Sequence, residues 1–311
     1  MEFDVIERYF KPLSFVSDAR DFAIGDDGAL ITPPLDRQLV VVTDTLVSGV
    51  HFLPDASAYD IAWKALAVNL SDLAAMGARP AFYSLALTLP QVDAQWLSEF
   101  ARGLADCASA YTVSLIGGDT TKGPLCVTIT AQGWVAQGKA LRRSGAQPGD
   151  DIYVSGCIGE GGLGLSLALA AKAALNDQQQ QALLRLHRPQ PRVTLGLALV
   201  ELAHSAIDIS DGLLADLAHI LKASSVGAQL DYAAIPLTEA VKIWAQNQPM
   251  RPLQAGDDYE LCFTAPRSAR DSLTDLAGLL NLPLSRIGKV TPQLGLTIDG
   301  QAQLAGGYRH F

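Results

Sequence analysis

The chain has 311 residues, 49% of them apolar and 18% charged, which excludes a fibrous or disordered protein and is enough for two domains with their own cores. A formal net charge of −9 excludes a nucleic-acid surface, because phosphate contacts need clustered Lys and Arg. The acidic start "MEFDVIERYF" lacks the basic-then-apolar pattern of a signal peptide and no apolar run reaches spanning length, so a cytoplasmic protein without membrane association is expected.

The first stretch that asks for an explanation is "AIGDDGAL", residues 23–30. Asp26 and Asp27 repel each other between glycines; the pair reads either as a tight Asp-Gly turn or as part of a metal site. Residues 29–32 and 39–44 ("LVVVTD") read as strands, and helical spacing of apolar residues predicts a helix from Tyr59 to Met76. The strand "FYSLALTL", a helix from Ala94 to Tyr111 and the strands "TVSLIGG" and "LCVTITAQGWV" follow. This order predicts a mixed α+β domain over residues 1–137, and the turn-rich 138–149 reads as a linker to a second domain, 150–311.

In the second half "DIYVSG" reads as a strand, 161–175 as a helix, "SAIDIS" as a strand and "DGLLADLAHILKAS" as a helix. "YELCFTA", a helix near 267–280, "SRIGKV" and "GLTID" continue the alternation, and the run "DQQQQ" reads as a polar helix connection. Gly159, Gly161 and Gly164 fit the dinucleotide pattern GxGxxG, but the strand ending in an acid that should follow is absent, so close helix packing is the better reading. P-loop and protein-kinase signatures are absent. Cys107, Cys126, Cys157 and Cys262 form no CxxC pair and read as buried, inert thiols.

Aspartates recur at the predicted strand ends: Asp44 after "VVVT", Asp119 after "LIGG", Asp208 in "AIDIS" and Asp211 before a helix. Each has a local explanation as a helix cap or turn residue. Asp72 differs, because with Asn69 it interrupts the apolar face of a core-facing helix, where a carboxylate needs a partner. No basic cluster balances these acids. Two carboxylates about 4 Å apart at an effective dielectric near 20 repel by roughly 4 kcal/mol, a good part of a domain's net stability. If Asp27, Asp44, Asp72 and Asp119 converge, divalent cations must neutralise them, and hard oxygen donors without His or thiolate select Mg²⁺. A polyphosphate substrate held through metal ions follows.

Together "AIGDDGA", "TDTLVSGVHF", "KALAVNLSDLAAMGARP", "LIGGDTTKGP", "RRSGAQPGD", "IDISDGLLADL", "GDDYELCF" and "GGYRHF" resemble, in order and over essentially the whole chain, the thiamine-monophosphate kinase family. The Asp motifs are shared with the wider aminoimidazole ribonucleotide synthetase-like superfamily; "TDTLVSGVHF" and "GYRHF" narrow the resemblance. It implies a two-domain α+β/α/β fold with an N-terminal mixed sheet that carries metal, ATP and dimerisation, and a C-terminal α/β domain that completes the ATP and substrate site. The implied activity is Mg²⁺-dependent transfer of the ATP γ-phosphoryl group to thiamine monophosphate by a homodimer.

The resemblance places metal ligands at Asp27, Thr43, Asp44, Asp72, Asp119, Asp208 and Asp211, with Asp72, Asp119 and Asp211 central to catalysis. ATP contacts fall on Tyr111, Gly118, Asp119, Arg143 and Ser210, and acceptor contacts on His51, Asp257 and Tyr308. Position 257 is Asp where many relatives carry Glu, Ala255 replaces a Gly, and Val42 stands where some have Ser. The alternatives are another ATP-dependent enzyme of the superfamily, such as aminoimidazole ribonucleotide synthetase, and a non-catalytic metal or nucleotide sensor.

Overall fold

Eleven residues rich in Val and Thr, Arg37–Val47, form the first strand (β1) in the computed structural model, which describes residues 2–16, 18, 20–170 and 174–308. A short helix, α1 (Glu2–Val5), and two further single-turn segments precede it. The predicted strand at 29–32 is absent: Leu30 makes one isolated bridge with Phe22, so the Pro-rich sequence that follows carries the chain to β1 as an irregular loop. α2 (Ala58–Ala75), β2 (Arg79–Leu89), α3 (Ala94–Tyr111), β3 (Ser114–Lys122) and β4 (Cys126–Ala136) follow.

The chain forms two compact units, Met1–Leu73 with Ala78–Lys139 and Ala74–Gly77 with Ala140–Phe311. In the first, the sheet order is β1-β4-β2-β3, with β2 and β3 parallel and the other pairs antiparallel. The parallel pair is joined through α3, whose start is fixed by Asp93 accepting from the N–H groups of Gln95 and Trp96. Alternation sets the inner face: Tyr83, Leu85, Leu87 and Leu89 of β2 and Val127, Ile129 and Ala131 of β4 are buried. On β1, Val40 and Leu46 are buried while Leu39, Val41, Thr43, Thr45 and Val47 are exposed. α2 is buried nearly all round, as an almost uniformly apolar helix must be.

The second unit contains β5 (Asp151–Ser155), α4 (Glu160–Leu169), α5 (Asp177–His187), α6 (Val193–Leu199), β6 (Ser205–Asp208), α7 (Leu213–Ser224), β7 (Gly227–Leu230), α8 (Glu239–Ala245), α9 (Arg251–Gln254), β8 (Leu261–Ala265), α10 (Arg270–Leu280), β9 (Leu284–Thr291), β10 (Gly295–Ile298) and β11 (Gln301–Gln303). Its sheet order is β11-β10-β7-β9-β5-β8-β6. Among the described residues only β7 and β10 pair in parallel, so this unit is of the α+β kind. β5 and β8 are buried along their whole length.

Three sequence expectations change here. The helix expected at 161–175 is α4, which stops at Leu169; residues 171–173 of that expectation lie outside the described residues. "DQQQQ" is no connection but the first turns of α5, because Asn176 and Gln179 form a reciprocal capping box that satisfies the free N–H groups there. The cysteines are free; Cys107 and Cys262 are buried, and burial raises their thiol pKa values, whereas Cys126 and Cys157 are only half-buried.

Asp151 at the start of β5 is enclosed and accepts from Arg270 Nε at 2.6 Å and Nη2 at 2.8 Å, with Arg286 Nη1 at 3.4 Å. Burial works to raise its pKa, but the Arg270 hydrogen bonds and the charges of Arg270 and Arg286 outweigh it and hold the carboxyl below the ordinary range. A depressed folded pKa means a contribution complete above the unfolded value of about 3.9 and lost as pH falls through the folded one. Asp151→Asn is expected to cost about 1 to 2 kcal/mol at pH 7, both arginines being half-exposed. In urea unfolding the gap from wild type should close below about pH 4, and a gap constant with pH would refute the ionic origin.

Candidate functional site

In the first unit the loop Gly25–Gly28 and strand β3 enclose a cavity of ≈ 490 Å³, lined also by Ile6, Glu7 and Phe10. Asp27 and Asp119 both line it, and both are exposed. The backbone around Asp119 depends on its neighbour. Gly118 sits at φ 153°, and a Cβ there would lie 1.8 Å from the Leu85 carbonyl oxygen, so only glycine lets β3 press against β2 at this point. Asp26 lines the same cavity, and its carboxylate accepts from the Asp27 N–H at 2.9 Å.

Thr43 and Asp44 are neighbours on β1 and therefore face opposite sides of the sheet. The Thr43 hydroxyl is on the exposed face, 3.0 Å from that of Thr130, and so lies away from the Asp44 side. Asp44 is half-buried, and burial raises its pKa. Asp72 is half-buried on α2, one turn beyond Asn69, which is fully buried and donates to the Ala65 carbonyl at 3.0 Å. Neither Asp44 nor Asp72 lines the cavity.

His51 lies in the turn after β1, where its Nδ1 accepts from the Val47 N–H at 3.0 Å. Lys64, buried within α2, donates to the His51 carbonyl at 3.2 Å and ties that turn to the helix. Its signal was a lone Lys inside an apolar helical stretch. Tyr111 is the last residue of α3, and Thr112 after it closes the helix at φ 55°. Arg143 is exposed, and its carbonyl accepts from the Ser224 hydroxyl at 3.3 Å in the second unit.

The second unit brings four of the predicted residues together by backbone bonds. The Asp257 N–H donates to the Ser210 carbonyl at 2.9 Å and the Tyr308 N–H to that of Asp211 at 3.0 Å. Asp208, at the end of β6, is buried. A Cβ on Gly256 would lie 2.3 Å from the Ser210 oxygen, which makes that approach possible only for glycine. Arg309, His310 and Phe311, which complete the motif "GGYRHF", lie outside the described residues.

Three residues unassigned by the sequence shape this region. Asp216 Oδ2 accepts from the N–H groups of Ser210 at 3.1 Å, Asp211 at 3.0 Å and Gly212 at 3.1 Å, clamping the loop before α7. Burial and then the charge of Asp208 push its pKa up to about 7. The available signal was an acid in the first turn after "SDG". Asp258 is enclosed, and its carboxylate accepts from Gly159 N–H at 2.7 Å and Gly161 N–H at 3.0 Å; burial pushes its pKa well up. The GxGxxG loop therefore presents its donors to the protein's own carboxylate, where a pyrophosphate would otherwise sit. Glu260 is held by the Arg192 guanidinium fork and by the Ser155 hydroxyl at 2.5 Å.

Among the described residues no three His, Cys, Asp or Glu side chains converge on one point. The donor chemistry still fits Mg²⁺. That ion keeps several waters and binds through one or two carboxylates plus substrate phosphates, and Asp27 with Asp119 on one cavity supply such a pair. The acid-rich set has no thiolate or imidazole cluster to select a softer metal.

Residues 25–135 match the AIR synthase related protein, N-terminal domain, and residues 147–300 the corresponding C-terminal domain. The thiamine-monophosphate kinase of Haemophilus influenzae is 47% identical over 94% of this chain and 90% of its own length. The crystal structure of thiamine-monophosphate kinase from Stenotrophomonas maltophilia K279a superposes with a TM-score of 0.86 at 50% identity, covering 91% of this chain and 92% of that one. AaThiL complexed with AMPPCP and TMP superposes with a TM-score of 0.82 at 28% identity, covering 100% of this chain and 97% of that one.

Proposed function

The chain belongs to the thiamine-monophosphate kinase family, and we propose that its aspartates act through Mg²⁺ ions held between the protein and two phosphorylated substrates. It is an ATP-dependent phosphotransferase that converts thiamine monophosphate to thiamine diphosphate. An oxygen of the acceptor phosphate bonds to the γ-phosphorus of ATP, the bond from that phosphorus to the β,γ-bridging oxygen breaks, and ADP leaves. A phosphate monoester with a second pKa near 6 is mostly dianionic at neutral pH, so the attacking oxygen needs no general base and no residue need form a covalent intermediate.

The difficulty is that two polyanions must meet in an acidic protein. Mg²⁺, when bound by these aspartates, would supply the charge neutralisation that lets the two anions approach. Asp27, Thr43, Asp44, Asp72, Asp119, Asp208 and Asp211 are the proposed ligands, with Asp72, Asp119 and Asp211 central. Tyr111, Gly118, Asp119, Arg143 and Ser210 are assigned to ATP, the arginine as a guanidinium fork on phosphate. His51 is assigned to the acceptor phosphate, Asp257 to the thiazolium charge and Tyr308 to the acceptor's rings. Positioning and electrostatic stabilisation suffice for a loose phosphoryl-transfer transition state.

The observation that carries the nucleotide half of this reading is the pairing of Asp27 and Asp119 beside Gly118 on one cavity. The exposed face of β1, with Leu39, Val41 and Val47, supports a homodimer formed through this sheet, which sedimentation velocity tests directly. Among the described residues no helix is long and apolar enough to cross a membrane; we assign the enzyme to the cytoplasm because its reaction consumes ATP.

Product analysis tests the whole. Protein with Mg²⁺, ATP and thiamine monophosphate is expected to yield ADP and thiamine diphosphate in equal amounts, and EDTA to abolish both. ADP without thiamine diphosphate would show the wrong acceptor. Undiminished turnover in EDTA would sink the metal roles.

A further inference from the structure

Tyr259 is a bulky residue in the left-handed region at φ 49°, two positions after Asp257, itself at φ 68°. A tyrosine there crowds its own backbone, and such strain persists only where the surroundings over-determine it. Here they do. Asp258, between the two, is enclosed on the N–H groups of Gly159 and Gly161, and Glu260 beyond is gripped by Arg192 and Ser155. The Asp257 and Tyr259 N–H groups donate to the carbonyls of Ser210 and Ile209 at 2.9 and 2.8 Å.

The two buried acids thus anchor the segment, while Asp257 and Tyr259 stay half-buried and meet each other. The Tyr259 hydroxyl donates to Asp257 Oδ1 at 3.2 Å. A carboxylate free to rotate spreads its charge over several positions; one held by a rigid donor keeps its charge in a single place. Pinning matters most where the partner is a delocalised ring cation, which offers no N–H donor to orient the carboxylate itself.

We propose that Tyr259 is a specificity-determining residue of the acceptor site, whose hydroxyl holds the Asp257 carboxylate in position for the cationic ring of the substrate. This rests on the assignment of Asp257 to the thiazolium charge. It makes selection of a cation over a neutral ring a property of the pair.

The test is steady-state kinetics of wild type, Tyr259→Phe, Asp257→Asn and the double variant. The acceptors are thiamine monophosphate and an isosteric phosphate ester whose thiazolium is replaced by a neutral aromatic ring. Tyr259→Phe is expected to raise KM for thiamine monophosphate by roughly 10- to 150-fold, the worth of a hydrogen bond to a charged group, with the change in KM and not in kcat. KM for ATP and for the neutral analogue should stay within about twofold, and adding Tyr259→Phe to Asp257→Asn should change nothing further.

An unchanged KM, an equal rise for the neutral analogue, or effects that multiply in the double variant would overturn the proposal. So would a lowered melting temperature with a uniform loss of kcat, which would make the residue merely structural. Failure of the kinase reading shows separately: wild type would then form no thiamine diphosphate at all, and the proposal would fall with it.

Discussion

Asp119→Asn is expected to lower Mg²⁺-supported formation of thiamine diphosphate by roughly a thousandfold while leaving the unfolding midpoint nearly unchanged, the scale seen when one preorganised electrostatic group is removed from a transition-state site. The side chain is exposed at the end of the run Leu115–Ile116–Gly117–Gly118, so the change removes a charge without opening the core or unpairing a buried group. Asn keeps the shape and one oxygen but not the negative charge that the proposed metal role of Asp119, beside Asp27 on the cavity, requires. Raising Mg²⁺ should recover part of the loss, because a weakened site can be filled by mass action. Turnover within threefold of wild type at sub-saturating Mg²⁺ would remove Asp119 from the metal-binding set. A full loss with a collapsed midpoint would assign it to the fold instead.

Arg192→Ala is expected to have the largest effect on stability, about 3 to 5 kcal/mol, because it strands the Glu260 carboxylate in a buried position. Arg192 and Glu260 are both largely enclosed, and the Ser155 hydroxyl alone cannot replace a guanidinium fork. Urea unfolding should show a clear drop in midpoint. Arg192→Met combined with Glu260→Gln should recover most of it, since the cost lies in the unpaired charge and not in the absence of the pair. A midpoint for the single variant within about 0.5 kcal/mol of wild type would show that solvent reaches Glu260. Function should follow stability here, because Glu260 is one of the two anchors that hold Asp257 and Tyr259 in left-handed backbone.

Periodicity found most elements of this protein for a local reason. α3 ends where predicted because Asp93 caps its start and the chain reverses at Thr112, both encoded within a turn of the helix. β1, β2 and β4 were legible from β-branched residues and alternation, since one face of their sheet is buried. "DQQQQ" looks like a polar connection yet forms a helix, because a capping box and the packing of Ala182 and Leu186 decide it, which composition alone does not show. The 29–32 strand failed because a short apolar run with no partner strand beside it stays a loop.

The sequence by itself determined the acidic chemistry, the family and the order of its motifs, because hard-oxygen donors and glycines at close approaches are requirements on residue type. Only the tertiary structure decided which partners those residues take. Asp258 rather than a ligand fills the donors of Gly159 and Gly161, Asp216 clamps the loop of Ser210 and Asp211, and Thr43 turns its hydroxyl away from the Asp44 face. The physical reason is range. Backbone conformation and burial pattern are set within a few residues, whereas a buried carboxylate is satisfied by whichever donors the fold brings to it, here nearly a hundred residues away.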